Sequence, residues 1–171
     1  MTPVDLGALG DDHVEIDRLS LRCELVEQCN KLGGLLVTTI GLAAFSRADI
    51  PGETRRDFFV YVDEFQSFTT LAVANMFSEL RKYRVGFTVA HQYLHQLEPD
   101  IRHAVLGNAG TTISFRVGGE DAPYLVREFV EELEQIDLMQ LPNYRIYLKL
   151  MIDGMPSKPF SAATLNPDDW P

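Results

Sequence analysis

Basic charge, cysteine and long apolar runs are all scarce in this 171-residue chain. Fifteen Lys and Arg stand against twenty-five Asp and Glu, a formal net charge of −10. A free-standing nucleic-acid binder needs a basic face, so that class is disfavoured, whereas a subunit presenting a few cations to a central channel is not. The two cysteines, Cys23 and Cys29, are separated by five residues with no second pair. That spacing suits neither a zinc site nor a disulfide framework and predicts reduced thiols in a cytosolic protein. No window supplies the roughly 18 uncharged apolar residues of a membrane span. The longest such stretch, Leu32–Ser46, holds three glycines and several hydroxyls, so neither a transmembrane helix nor a signal peptide is expected.

What is present is a chain 46% apolar, enough for one domain with a real core. An acidic opening, Met1–Arg22, carries a weak alternation at Val14, Ile16, Leu19 and Leu21 that reads as an edge strand. Apolar residues at spacings of three and four predict a helix from about Cys23 to Phe45, weakened by Gly33-Gly34. The loop Ser46–Asp57 feeds a short apolar run, Phe58–Val62, read as a strand buried on both faces. Thr69 or Thr70 caps a helix over Leu71–Tyr83, and Val85–His91 is a second buried strand. A short helix Ile101–Leu106, a strand Thr111–Val117 and a helix starting at Glu120 or Asp121 follow, with Gly118-Gly119 as the strand-to-helix turn. Asn143–Met151 alternates and is expected to pair with Pro159–Leu165, with Asp153-Gly154 as a turn. Strands separated by helices indicate an α/β fold: a mainly parallel sheet covered on both faces, with a C-terminal antiparallel addition. Phe58, Phe59, Phe65, Phe68 and Phe77 are read as core.

The first strand ends in adjacent carboxylates, Asp63 and Glu64. Chemistry in open α/β sheets collects beyond the carboxyl ends of the strands. A nucleotide triphosphatase needs one carboxylate there to hold Mg²⁺ through water and a second to orient or deprotonate the attacking water. Asp63 suits the first role and Glu64 the second; capping of the next helix is the bland alternative. The second strand also ends in polar residues, His91 and Gln92, and Gln92 has two readings: contact with a γ-phosphate or its water, or a bond to loop backbone. Arg81, within Arg81-Lys82-Tyr83-Arg84, either complements a helix dipole or reaches a neighbouring subunit's nucleotide. His91 and His95 enclose Tyr93 and Leu94 rather than the acid of an H-E-x-x-H motif, so with His103 they are read as structural or surface residues.

The series YVDEFQSF, SELRKYRVGFTVAHQYLHQL, IRHAVLGNAGTTISFRVGGEDAPYL and LPNYRIYLKLMIDG resembles the conjugative coupling proteins of type IV secretion. These are the TraG/TraD-like hexameric ATPases, related to the FtsK/HerA motors. The resemblance runs from about Leu32 to Leu165, leaving residues 1–30 as a non-matching segment and 166–171 as a tail. It implies part of a RecA-like, three-layer P-loop NTPase core that drives single-stranded DNA with attached protein into a secretion channel. By position Asp63 and Glu64 match the Walker B pair, with Asp63 toward Mg-ATP, Gln92 the glutamine motif and Arg81 the arginine finger. Arg116 also matches a family arginine, placed here with the nucleotide. The implied partners are single-stranded DNA, the relaxase and accessory proteins of the relaxosome, the secretion channel and five further copies in a hexamer. The implied location is the cytoplasm, for complete members at the inner-membrane face.

One departure is decisive for chemistry. No G-x-x-x-x-G-K-[ST] occurs anywhere, and Gly107–Thr112 (GNAGTT) has no lysine. The amide cradle, its lysine and its magnesium-binding hydroxyl are missing, so ATP and Mg²⁺ are expected only with a P-loop supplied from outside this chain. The family's membrane helices are missing too. A second expectation is therefore a non-catalytic interaction module that recognises relaxosome or accessory proteins. A double-stranded DNA translocase is disfavoured by the GNAGTTISFRVG and LPNYRIYLKLMIDG segments.

Overall fold

A twenty-residue helix, α1 (Val26–Phe45), opens the computed structural model, which describes residues 26–67, 69–129 and 133–165. The expected strand around Val14–Leu21 and the core assignment of Phe68 lie outside the described residues. The described residues divide into two compact units: those from Val26 to Gln92 with Leu97–Val105, and Tyr93–Gln96 with those from Leu106 to Leu165.

In the first unit α1 is followed by β1 (Phe58–Val62), α2 (Leu71–Leu80), β2 (Val85–Val89) and most of α3 (Pro99–Asn108). Thr70 caps α2 by accepting from the Val73 N–H, as its sequence predicts. The expected helix to Tyr83 tightens after Leu80 into a 3-10 turn, Arg81–Tyr83, and stops at Arg84 in the left-handed region (φ 56°). β1 and β2 pair in parallel, Phe58 opposite Val85 and Val62 opposite Val89. Val60, Val62, Phe65, Val73, Ala74, Leu80 and Val85 form the core, and Phe77 stacks between Phe65 and Phe87 at 5.5 and 5.0 Å. α1 approaches α2 at Gly41, where any Cβ would strike Met76. Arg47 is buried and donates to the carbonyls of Tyr83 and Arg56, tying the long loop to the start of β2. Burial, then the Arg55 charge, pushes its guanidinium below the usual arginine range, opposed by Asp57.

The second unit holds β3 (Thr112–Ser114), α4 (Ala122–Glu128), α5 (Gln135–Met139), β4 (Arg145–Lys149), β5 (Met151–Ile152), β6 (Met155–Pro156) and β7 (Phe160–Ala163). β4 lies antiparallel between β3 and β7, which bears out the expected pairing of the two C-terminal stretches. Asp153 and Gly154, both at positive φ, close a separate small hairpin of β5 and β6. α5 is an element that the sequence pattern did not predict; Asp137 starts it by accepting from the Glu134 N–H at 2.8 Å.

Three expectations need correction. The sheet is not mainly parallel: β1–β2 is the one parallel pair among the described residues, and β3 joins the antiparallel set. β1 is not buried on both faces, and Phe59 is not core, because Phe59 and Tyr61 are 65% and 76% exposed. The same holds for β3 in the second unit, where Ile113 is 57% exposed between buried Thr112 and Ser114. Alternate residues of a strand point to opposite faces, so each needs its own covering layer. Among the described residues only one layer is supplied. Leu32, Leu35 and Leu42 of α1 are exposed for the same reason.

Asp121, one of the two residues expected to start α4, does so through its backbone, its carbonyl accepting from Tyr124 and Leu125 N–H. Its carboxylate does not cap the helix but turns to the 3-10 turn Leu94–Gln96, accepting from Leu94 N–H at 3.1 Å and His95 N–H at 2.9 Å. His95 Nδ1 lies 3.1 Å from the same Oδ1. Asp121 is buried, so its loss leaves two amides, that of buried Leu94 above all, without their acceptor. Asp121→Ala is expected to cost about 3 kcal/mol, read as a lower urea midpoint at unchanged slope; an unchanged midpoint refutes this anchoring role.

Candidate functional site

The carboxyl ends of β1 and β2 are stitched together by backbone. Ala90 N–H donates to the Val62 carbonyl at 2.8 Å, and Phe65 N–H returns to the Ala90 carbonyl at 3.0 Å. Between these bonds the chain must reverse within Asp63-Glu64, and Glu64 does so in the left-handed region at φ 51°. That conformation is uncommon for a residue with a side chain and is held here by its neighbours. Asp63 Oδ1 accepts from Glu64 N–H at 2.8 Å, and Ser67 N–H closes the turn on the Glu64 carbonyl at 2.9 Å. Phe65, completely buried, nails the turn to the core.

This turn delivers the Glu64 carboxylate to the first residues after β2. Gln92 Nε2 donates to Oε1 at 2.5 Å, and Gln66 Nε2 donates to Oε2 at 2.5 Å. Asp63, Glu64 and Gln92, chosen from two separate stretches of sequence, thus meet at one end of the parallel pair. Glu64 is half-buried, while Asp63 and Gln92 are exposed. Gln66 was not among the residues singled out from sequence. Its signal was available: an amide side chain in a turn otherwise anchored by phenylalanine, two residues after the carboxylate.

Arg81 is not brought to this cluster. It sits in the turn before β2, at the opposite end of the strands; five residues at about 3.3 Å each put it roughly 16 Å away. Its neighbours are engaged, Lys82 with Glu79 and Arg84 with Asp57. The Glu79 hydrogen bond and charge raise Lys82 above the usual lysine range. The exposed Arg81 guanidinium makes no hydrogen bond or ion pair among the described residues. Arg116 belongs to the second unit, where it donates to the Leu141 carbonyl at 3.4 Å and Asn143 Oδ1 at 3.1 Å, fastening the end of β3 to the loop before β4.

Two adjacent carboxylates on the exposed end of a parallel pair fit the metal-facing half of a Mg²⁺–nucleotide site, because Mg²⁺ keeps most of its waters and needs few protein ligands. The phosphate-facing half is not met by these residues, since no lysine-bearing loop accompanies them.

No protein-family model and no curated protein sequence matches the chain. Solved structures do. The bacterial conjugative coupling protein TrwBdeltaN70, in an unbound monoclinic form, superposes with a TM-score of 0.59 at 13% identity, over 75% of this chain and 35% of its own. The same coupling protein with ADP and Mg²⁺ gives 0.59 at 14% identity, over 80% of this chain and 38% of its own. VirB4 of Thermoanaerobacter pseudethanolicus gives 0.56 at 16%, over 83% of this chain and 39% of its own. The genome-packaging NTPase B204 of Sulfolobus turreted icosahedral virus 2, with AMPPCP, gives 0.53 at 12%, over 80% and 63%. The chain therefore shares the mixed α/β fold of these proteins, and it spans only 35% to 39% of the length of the coupling protein and VirB4.

Proposed function

We propose that this chain is the Walker B-bearing part, residues 31–165, of a RecA-like ATPase core in a conjugative coupling protein, which moves single-stranded DNA toward a type IV secretion channel. The observation that carries the reading is the meeting of Glu64 with Gln92 beyond the carboxyl ends of two neighbouring parallel strands. In that reading Asp63 holds Mg²⁺ through water. Glu64 takes the proton of the attacking water, and Gln92 lies where a γ-phosphate or that water is sensed. The phosphate loop comes from other polypeptide, and ATP binds only when it is present. The exposed face of β1 at Phe59 and Tyr61, uncovered among the described residues, agrees with a sheet that takes a further layer in the complete core.

A viral packaging NTPase shares the fold. The choice of a coupling protein therefore rests on the GNAGTTISFRVG and LPNYRIYLKLMIDG segments, and with it the hexamer, the relaxosome partners and the cytoplasmic face of the inner membrane. Among the described residues no helix is long and apolar enough to cross a membrane.

The missing phosphate loop and the charge of −10 favour one second reading, an interaction module that keeps the fold without turnover. Complementation separates the two. The chain alone is expected to show no ATPase activity above background. Joined to a P-loop-bearing N-terminal half of a coupling protein, it is expected to turn over ATP with stimulation by single-stranded DNA. A completed, nucleotide-binding assembly without turnover favours the module.

A further inference from the structure

We propose that Gln66 is a positioning residue for Glu64: it holds Oε2 of the carboxylate so that Gln92, on Oε1, is free to exchange Glu64 for the reacting water. This rests on the reading of Glu64 as the base. Both oxygens of the carboxylate accept from side-chain amides, and the two donors differ in how firmly they are held. Gln66 lies in the 3-10 turn Phe65–Ser67, between a completely buried ring and an N–H bonded back to Glu64 itself. Gln92 is exposed, after β2 has ended.

The amide of Gln66 can face only one way. Nε2 donates to the carboxylate, whereas a flipped amide would set its oxygen against Oε2. The consequence is visible on its other side, where the buried Oε1 has no hydrogen-bond partner among the described residues. A buried acceptor left unpaired is uncommon and opposes this orientation. The bond to Glu64, charge-assisted, is what keeps it.

A carboxylate on a left-handed residue, pinned at one oxygen, keeps its plane when the other oxygen changes partner. Gln92 is the donor able to leave, because nucleotide or water at the strand ends would compete for its amide. Gln66 has no such competitor in its half-buried position. Loss of Gln66 therefore randomises the aim of the base without removing the base, a defect in orientation rather than binding.

The test uses side-chain amide NMR signals of the 171-residue chain. Both Gln66 and Gln92 are expected to give shifted, well-separated amide protons that move toward free-glutamine positions in Glu64→Ala. Backbone signals of Phe65 and Ser67 report whether the turn survives; if it does not, Glu64→Gln, of equal size, should reduce both shifts as the bonds lose their charge. The decisive feature is asymmetry. Gln66→Leu should collapse the Gln92 shift, while Gln92→Leu leaves that of Gln66 in place. Equal effects in both directions, or a Gln66 signal blind to Glu64, overturn the proposal. In an assembly completed with a P-loop half, Gln66→Leu should lower kcat roughly tenfold to a hundredfold with KM for ATP within about twofold; an unchanged kcat also overturns it. If the wild-type assembly does not turn over, the proposed function falls and the NMR asymmetry alone decides the role of Gln66.

Discussion

Replacing Arg81 by alanine in a completed assembly is expected to cut ATP turnover by about 10³-fold or more, the scale on which a transition-state arginine acts. The expectation depends on the arginine working on another copy. Within its own unit Arg81 lies before β2 while Glu64 and Gln92 lie beyond the strand ends, roughly 16 Å away along the strands. An arginine side chain does not bridge that distance back past a packed strand. It also stands unengaged among the described residues, whereas Lys82 and Arg84 on either side have acidic partners. A cation serving only the helix dipole would lose a few tenths of a kcal/mol on removal and leave turnover alone. Subunit mixing decides between own-site and neighbour-site action. Rings made from equal parts Arg81→Ala and Glu64→Gln subunits, each inactive alone, should recover up to about a quarter of the sites if Arg81 serves the neighbour. They recover none if it serves its own subunit, and an Arg81→Ala ring as active as wild type removes the assignment.

Glu64→Gln is expected to lower turnover by about 10²- to 10⁴-fold while leaving ATP affinity nearly unchanged. The substitution keeps size, the left-handed turn and the option of hydrogen bonding to Gln66 and Gln92, so it removes basicity rather than structure. Urea unfolding should accordingly shift little. ATP binding measured under non-hydrolysing conditions should match wild type within about threefold. A Glu64→Gln assembly that turns over normally would move the base elsewhere and leave Glu64 as a turn residue. Asp63→Asn provides the contrast, because loss of the metal-facing charge should weaken Mg²⁺-dependent binding itself.

Much of the fold was legible because local chemistry was unambiguous. Phe58–Val62 is apolar and β-branched and ends in carboxylates; Thr70 precedes an apolar periodicity; Asp153-Gly154 supplies two residues tolerant of positive φ. Each rests on near neighbours in sequence, where propensity and pattern have force. The misreadings share a different cause. Calling β1 doubly buried assumed a partner layer, and calling the sheet mainly parallel assumed that β3 would join β1 and β2. Both are statements about long-range contacts, on which an apolar run is silent. Asp121 divides along the same line: that it starts α4 was legible from its neighbours, while the partners of its carboxylate, Leu94 and His95, lie more than twenty residues away.

The sequence by itself determined the inventory of the site: two carboxylates ending a buried-type strand, a glutamine ending the next, an arginine between, and no phosphate loop. How these residues are arranged in space followed only from the tertiary structure. Parallel pairing with Phe58 opposite Val85 sets the strand ends level, and the left-handed Glu64 turns its carboxylate onto Gln92. The same pairing sends Arg81 to the far end, and the turn after β1 brings in Gln66, which had not been singled out. Register and handedness are properties of a folded backbone, fixed by bonds between residues far apart in the chain, and these place a side chain to within the reach of a hydrogen bond.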